Sequence, residues 1–159
     1  MLEIERKFLV KEELLPPLPL GHYLVQGYLS FGSPSVRVRL DTDGSGLKKA
    51  FLTIKGKGLV SREEFEYAIL FEEAEQLLKL CQGAAIVKRR YIFPVAGEPN
   101  LKWELDVFEG ENAGLVVVEV EIPHENYTFP LPNWIGQDVS EIAAYKNIAL
   151  AQHPYKAWQ

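Results

Sequence analysis

Charged residues recur along this chain as like-sign pairs two positions apart. The acidic pairs are Glu3/Glu5, Glu64/Glu66, Glu104/Asp106 and Glu119/Glu121; the basic pairs are Arg37/Arg39 and Lys88/Arg90, joined by Lys7, Lys55 and Arg62. In an extended strand that spacing puts both members on one face and the residue between them on the other. The intervening residue is apolar in most pairs: Ile4, Val38, Phe65, Leu105 and Val120. Each stretch therefore reads as a strand with one ionic and one oily face. A single strand of this kind suits the wet face of an antiparallel sheet. Repeated like-sign pairs need more, because neighbouring like charges repel and folding alone does not offset that repulsion. If the sheet curls with its ionic face inward, helices and the C-terminal tail can cover the oily face. The expectation is a closed antiparallel barrel or tunnel with a charged lumen, mainly β with flanking helices (α+β).

The rest of the sequence punctuates these strands. After a strand over Met1–Val10, Lys11–Gly21 carries Pro16, Pro17 and Pro19 and reads as a short helical turn stopped by prolines. Strands are predicted over His22–Phe31 and Val36–Leu40, followed by the hairpin signal Asp41–Gly46 and a returning strand over Lys48–Lys57. Another follows over Ser61–Ile69. From Leu70 the period becomes helical, with Phe71, Ala74, Leu77, Leu78 and Cys81 on one stripe and Gly83 as the stop. Further strands are predicted over Val87–Phe93, Leu101–Phe108 and Leu115–Ile122. A short helix is expected from Ser140 and Glu141 through Tyr145, Asn147 and Leu150, limited by Pro154.

The 159 residues fit one domain, residues 1–159, and the net charge of −5 argues against a nucleic-acid or membrane-surface binder. Cys81 is the only cysteine, which excludes an internal disulfide and a cysteine-rich zinc site and suits a reducing, cytoplasmic setting. Neither a secretory leader nor an apolar run of about 20 residues is evident. His22, His124 and His153 lie in no metal-ligand spacing. The expected partner is a small molecule, and the oligomeric state stays open between monomer and homodimer.

Clustered Arg and Lys pairs suit adjacent phosphates, whose oxygens arginine binds bidentately. Carboxylates among them would repel such a ligand unless they hold divalent cations, and an all-oxygen donor set points to Mg²⁺ or Mn²⁺. In their order and spacing, Glu3-Ile4-Glu5-Arg6-Lys7, Arg37/Arg39, Thr53-Ile54-Lys55-Gly56, Arg62/Glu64/Glu66, Lys88/Arg90, Glu104/Asp106 and Glu119/Glu121 resemble the CYTH superfamily, also called triphosphate tunnel metalloenzymes. The resemblance runs from Glu3 to Asn147. It implies an eight-stranded closed tunnel and metal-dependent hydrolysis of a triphosphate, most simply inorganic triphosphate to pyrophosphate and phosphate. It also implies two Mg²⁺ or Mn²⁺ ions. Glu3, Glu5, Glu119 and Glu121 match the metal-ligand positions, with Glu64, Glu66 and Asp106 as further ligands. Lys7, Arg37, Arg39, Lys55, Lys88 and Arg90 match the phosphate-binding positions, and Lys55, Glu5 and Glu121 the catalytic ones. Arg62 would orient a carboxylate, Glu104 is open between ligand and structural partner, and Tyr28 is open between phosphate contact and packing. Arg6, on the opposite face, has no such role. Adenylate cyclase, thiamine triphosphatase and a non-catalytic polyphosphate-binding module are the alternatives on this scaffold.

Overall fold

A computed structural model describes residues 1–158. Its nine strands are β1 (Leu2–Val10), β2 (His22–Ser30), β3 (Ser35–Thr42), β4 (Lys48–Lys55), β5 (Ser61–Ile69), β6 (Gln82–Val95), β7 (Glu98–Glu109), β8 (Val116–Glu121) and β9 (Ile135–Asp138). Two helices, α1 (Phe71–Leu78) and α2 (Asn147–Gln152), accompany them, with 3-10 turns at Glu12–Leu14, Gly110–Asn112, Ala143–Tyr145 and Tyr155–Ala157.

The strand order is β5-β4-β3-β2-β6-β7-β8-β1-β9, and β1 also pairs with β5. That pairing closes eight strands into a barrel, with β9 as an extra strand on the outer flank of β1. Every pairing is antiparallel. The first strand serves three neighbours. Leu2–Ile4 meet β5, Glu5–Leu9 meet β8, and Phe8 and Val10 meet β9 across an irregularity. The expected tunnel of eight antiparallel strands is therefore present.

The oily faces turn outward and are covered as the alternation requires. Ile4, Phe8, Trp103, Leu105, Val118 and Val120 pack under Trp134 and Ile135 from the tail, with Tyr127 and Phe129 closing over them. Trp103 meets Trp134 edge to face at 5.2 Å, a favoured arrangement of two aromatic quadrupoles. On the other side α1 lays Ala74, Phe71 and Leu77 across Val38 and Ala50.

Four features differ from the sequence reading. α1 stops at Leu78, because bonds from Lys79 N–H to the Gln76 carbonyl and from Leu80 N–H to the Leu77 carbonyl tighten its last turn. Gly83 thus lies inside β6, which begins at Gln82, five residues before its expected start, and adopts φ +71°. A Cβ there would sit 2.5 Å from the Ala151 carbonyl oxygen. The short strand β9 carries too little alternation to be read in advance. The expected helix from Ser140 is interrupted: Lys146 is extended (φ −73°, ψ 143°) between the 3-10 turn and α2. Finally, α2 does not cover the outer face. Ile86, Phe108 and Val117 are inward-facing positions of β6, β7 and β8, and they pack against Leu150 and Ala151, so α2 fills that end of the barrel. An apolar ring inside a closed sheet demands an apolar plug. Among the described residues no helix is long and apolar enough to cross a membrane.

Candidate active site

Above the plug the lumen opens into a cavity of about 640 Å³. Strand register assembles its walls: Glu5 lies opposite Glu121 and Lys7 opposite Glu119 across β1 and β8, while Glu3 faces Arg62 on β5. Ser35 pairs with Lys55, Lys55 with Glu64, and Thr53 with both Arg37 and Glu66. Of the residues singled out in the sequence, Glu3, Glu5, Glu64, Glu66, Glu119 and Glu121 line the cavity, as do Lys7, Arg37, Arg39, Lys55 and Arg90. Arg62, Glu104 and Tyr28 line it too.

The acidic wall is crowded. Burial, then repulsion by Glu119, pushes the Glu5 carboxyl up to about 8. Burial and a hydrogen bond with Glu64 raise Glu3, and burial with Glu3 and Glu104 raises Glu121. Glu119 resists the trend: burial opposes its charge, yet Lys7, Arg90 and Lys88 hold it well below the usual carboxylate range. Its buried Oε1 has no hydrogen-bond partner, with Lys7 Nζ at 3.5 Å and Arg90 Nη2 at 3.8 Å. Carboxylates driven toward neutrality by one another, with a buried oxygen left over, fit a hard divalent cation. No three of them converge into a ready ligand cage among the described residues. Such a partial set suits an ion that keeps waters and takes substrate oxygens, as Mg²⁺ does. Lys55 Nζ donates to Glu3 Oε1 at 2.9 Å, and Arg62 Nε lies 3.8 Å from the same oxygen.

The basic side is short of counter-charge. Arg37 Nη2 donates to Thr53 Oγ1 at 3.1 Å and lies 3.5 Å from Glu66, but its buried Nε has no partner. Arg39 Nε donates to the Gln26 amide oxygen at 2.8 Å, and among the described residues the guanidinium makes no ion pair within 4 Å. Burial, then Arg37 and Arg90, works against its charge. Arg39 is thus left without an anionic partner among the described residues, and Arg37 has only Glu66.

Lys88 and Asp106 do not line the cavity, contrary to the phosphate-binding and metal-ligand places expected for them. Both occupy inward-facing positions but lie beneath the edge of α2, fully buried and 2.7 Å apart, with Lys88 Nζ also donating to Asn147 Oδ1 at 3.0 Å. Asp106 accepts two bonds from Arg90, from Nε at 2.7 Å and Nη2 at 2.8 Å. Burial raises an isolated carboxyl, but Arg90 and Lys88 reverse this and lower Asp106. Asp106 thus anchors the guanidinium, whose Nη1 lies 3.4 Å from Glu104.

One cavity residue went unread in the sequence. Lys146 is buried, faces the lumen, and its Nζ has no partner. Burial, then Lys7, lowers it to about 8. A lone lysine in an irregular tail has no period to reveal it; only the extended break before α2 turns it inward.

The family model described as CYTH domain matches residues 1–155. An inorganic triphosphatase of Acetivibrio thermocellus is 43% identical over 157 residues, covering 97% of this chain and 96% of that protein. An inorganic triphosphatase of Nitrosomonas europaea is 38% identical over 156 residues, covering 95% of this chain and 97% of that protein. A crystal structure of an inorganic triphosphatase matches with TM-score 0.64 at 36% identity, covering 94% of this chain and 93% of the other. A Pyrococcus horikoshii protein at 21% identity and TM-score 0.56, covering 78% of this chain and 80% of the other, shares the fold alone. With the barrel closed, its lumen charged and the match running over nearly the whole length, the chain belongs to the CYTH domain family.

Proposed function

We propose that this chain hydrolyses inorganic triphosphate to pyrophosphate and phosphate inside the barrel, with divalent cations. The observation that carries the reading is a lumen lined both by crowded carboxylates and by buried cationic nitrogens left without a hydrogen-bond partner, Arg37 Nε and Lys146 Nζ. The names of the two relatives support it. Seven carboxylates (Glu3, Glu5, Glu64, Glu66, Glu104, Glu119 and Glu121) and seven cations (Lys7, Arg37, Arg39, Lys55, Arg62, Arg90 and Lys146) line the lumen together. A polyanion entering so balanced a space must bring positive charge with it, which favours a metal complex of the substrate.

In this reading Glu3, Glu5, Glu119 and Glu121 hold Mg²⁺ or Mn²⁺, with Glu64 and Glu66 beside them. Two ions suit the breadth of that wall. Bound there, the metal would neutralise the carboxylates and make water a stronger nucleophile. Arg37, Arg39, Lys7 and Lys146 bind phosphate oxygens, and Arg90 is held in place by Asp106. Lys55, held by Glu3, orients a phosphate. In-line attack of water on a terminal phosphorus breaks one P–O–P bond, and the leaving pyrophosphate stays beside the cations that stabilise it.

The test is phosphate release from inorganic triphosphate with Mg²⁺ or Mn²⁺, with ATP and thiamine triphosphate in parallel. Glu5→Gln and Arg39→Ala should each lower kcat/KM by about 100-fold or more. Unchanged turnover in both variants would overturn the site, and preferred turnover of an organic triphosphate would overturn the substrate.

A further inference from the structure

Arg6 points away from the lumen, where the ionic stripe gives it nothing to do, yet it has partners. Its Nε donates to Ser140 Oγ at 3.1 Å, and its guanidinium pairs with Asp138. The same hydroxyl accepts the backbone N–H of Lys7 at 2.8 Å and donates to Asp138 Oδ1 at 2.6 Å. A serine hydroxyl has one proton and two lone pairs, so all of its bonding capacity is used. Val139 N–H adds a bond of 2.9 Å to the Lys7 carbonyl.

The segment that grips the backbone of Lys7 then returns to the tip of its side chain. Tyr145 offers its carbonyl oxygen to Lys7 Nζ at 3.0 Å. Little slack lies between the two attachments, because Ile142 N–H bonds to the Val139 carbonyl and Tyr145 N–H to the Ile142 carbonyl. Lys146 follows directly, with its unpartnered Nζ in the cavity. A lysine is a point charge on a flexible four-carbon stem, so its placement depends on the backbone that carries it.

We infer that Arg6, Asp138 and Ser140 form a clamp on the outside of the barrel that sets the lumenal positions of Lys7 and Lys146, making Ser140 a positioning residue for phosphate binding. The inference rests on the lumen being the triphosphate site. Its geometric content is that one hydroxyl ties β1 to the segment delivering two ammonium groups.

The experiment compares Ser140→Ala, Lys146→Met and the double variant, measuring KM and kcat for inorganic triphosphate and the shift in Tm that triphosphate produces with Mg²⁺. Ser140→Ala should raise KM about fivefold with kcat within about twofold. On the Lys146→Met background the same change should raise KM less than about threefold, since the clamp then has only Lys7 left to place. Ser140→Thr, which keeps the hydroxyl, should restore KM. Should Ser140→Ala fail to fold, Asp138→Ala at the half-exposed end of the clamp carries the same comparison. An equal fivefold step on both backgrounds overturns the clamp and leaves the cavity reading intact. A KM unmoved by Lys146→Met, or no triphosphate-dependent signal in the parent protein, overturns both.

Discussion

Replacing Asp106 by asparagine removes the carboxylate that neutralises the fully buried Lys88 and binds Arg90 through both of its oxygens. Asparagine keeps the shape and one acceptor oxygen but leaves Lys88 without an ionic partner and Arg90 with only Glu104 at 3.4 Å and Glu119 at 3.8 Å. Breaking a buried pair from one side costs about 3–5 kcal/mol, because the stranded charge cannot return to water. At about 2.1 cal/mol/K of unfolding entropy per residue, 159 residues give roughly 0.33 kcal/mol/K, so Tm should fall by about 9–15 °C. The assay is thermal unfolding of the metal-free protein, repeated with Mg²⁺ and with Mg²⁺ plus triphosphate. A large fall in the metal-free protein, with a Mg²⁺-dependent gain in Tm that survives, fits an anchoring role. A fall of under about 3 °C together with loss of the Mg²⁺-dependent gain would refute the reasoning. Asp106 would then be a metal ligand, the place first expected for it.

Other consequences are as direct. Lys146→Met removes a buried ammonium without a protein partner, so it should weaken triphosphate binding by about tenfold or more, as loss of a charge-assisted contact does; calorimetric titration would show it, and unchanged affinity would remove Lys146 from the site. The folded protein holds the Asp138 carboxyl below the usual aspartate range: although burial raises it, hydrogen bonds from Ser140 and the charge of Arg6 win. Its contribution to stability is therefore present above the unfolded pKa and lost as pH falls through the lower folded one. Asp138→Asn should flatten the acid limb of Tm against pH, and an identical acid limb would count against this. Gly83→Ala forces a side chain onto φ +71° and into the Ala151 carbonyl, which should lower stability by about 1–3 kcal/mol, readable as a shift in denaturant midpoint.

The sequence exposed the barrel because a closed sheet writes its inside and outside in alternate letters. Glu3-Ile4-Glu5 and Glu119-Val120-Glu121 each carry both faces within three residues, and thirteen of the charged residues so chosen do meet in one cavity. Alternation tells which face a side chain occupies, but not how far along the barrel it sits or what covers it. Lys88 has the right parity and still lies under Asn147, because α2 arrives from sixty residues away and occupies that level of the lumen. Asp106 looks like a ligand beside Glu104 until its neighbour across the sheet, Arg90, takes both of its oxygens. Lys146 and β9 were hidden for the opposite reason: each depends on a brief extended segment in an irregular tail, too short to generate a period.

The strand that opens the chain closes the barrel. β1 must find β5, then β8, then β9, so its last partner is made more than a hundred residues after it. During synthesis those opening residues wait, without their final neighbours, while most of the sheet emerges as a chain of hairpins. The carboxylates proposed to hold a cation come from distant parts of the sequence, Glu3 and Glu5 from one and Glu119 and Glu121 from the other. A shortened chain ending before β8 would lack half of that donor set. If those four hold the ion, the site cannot be complete before the ring is.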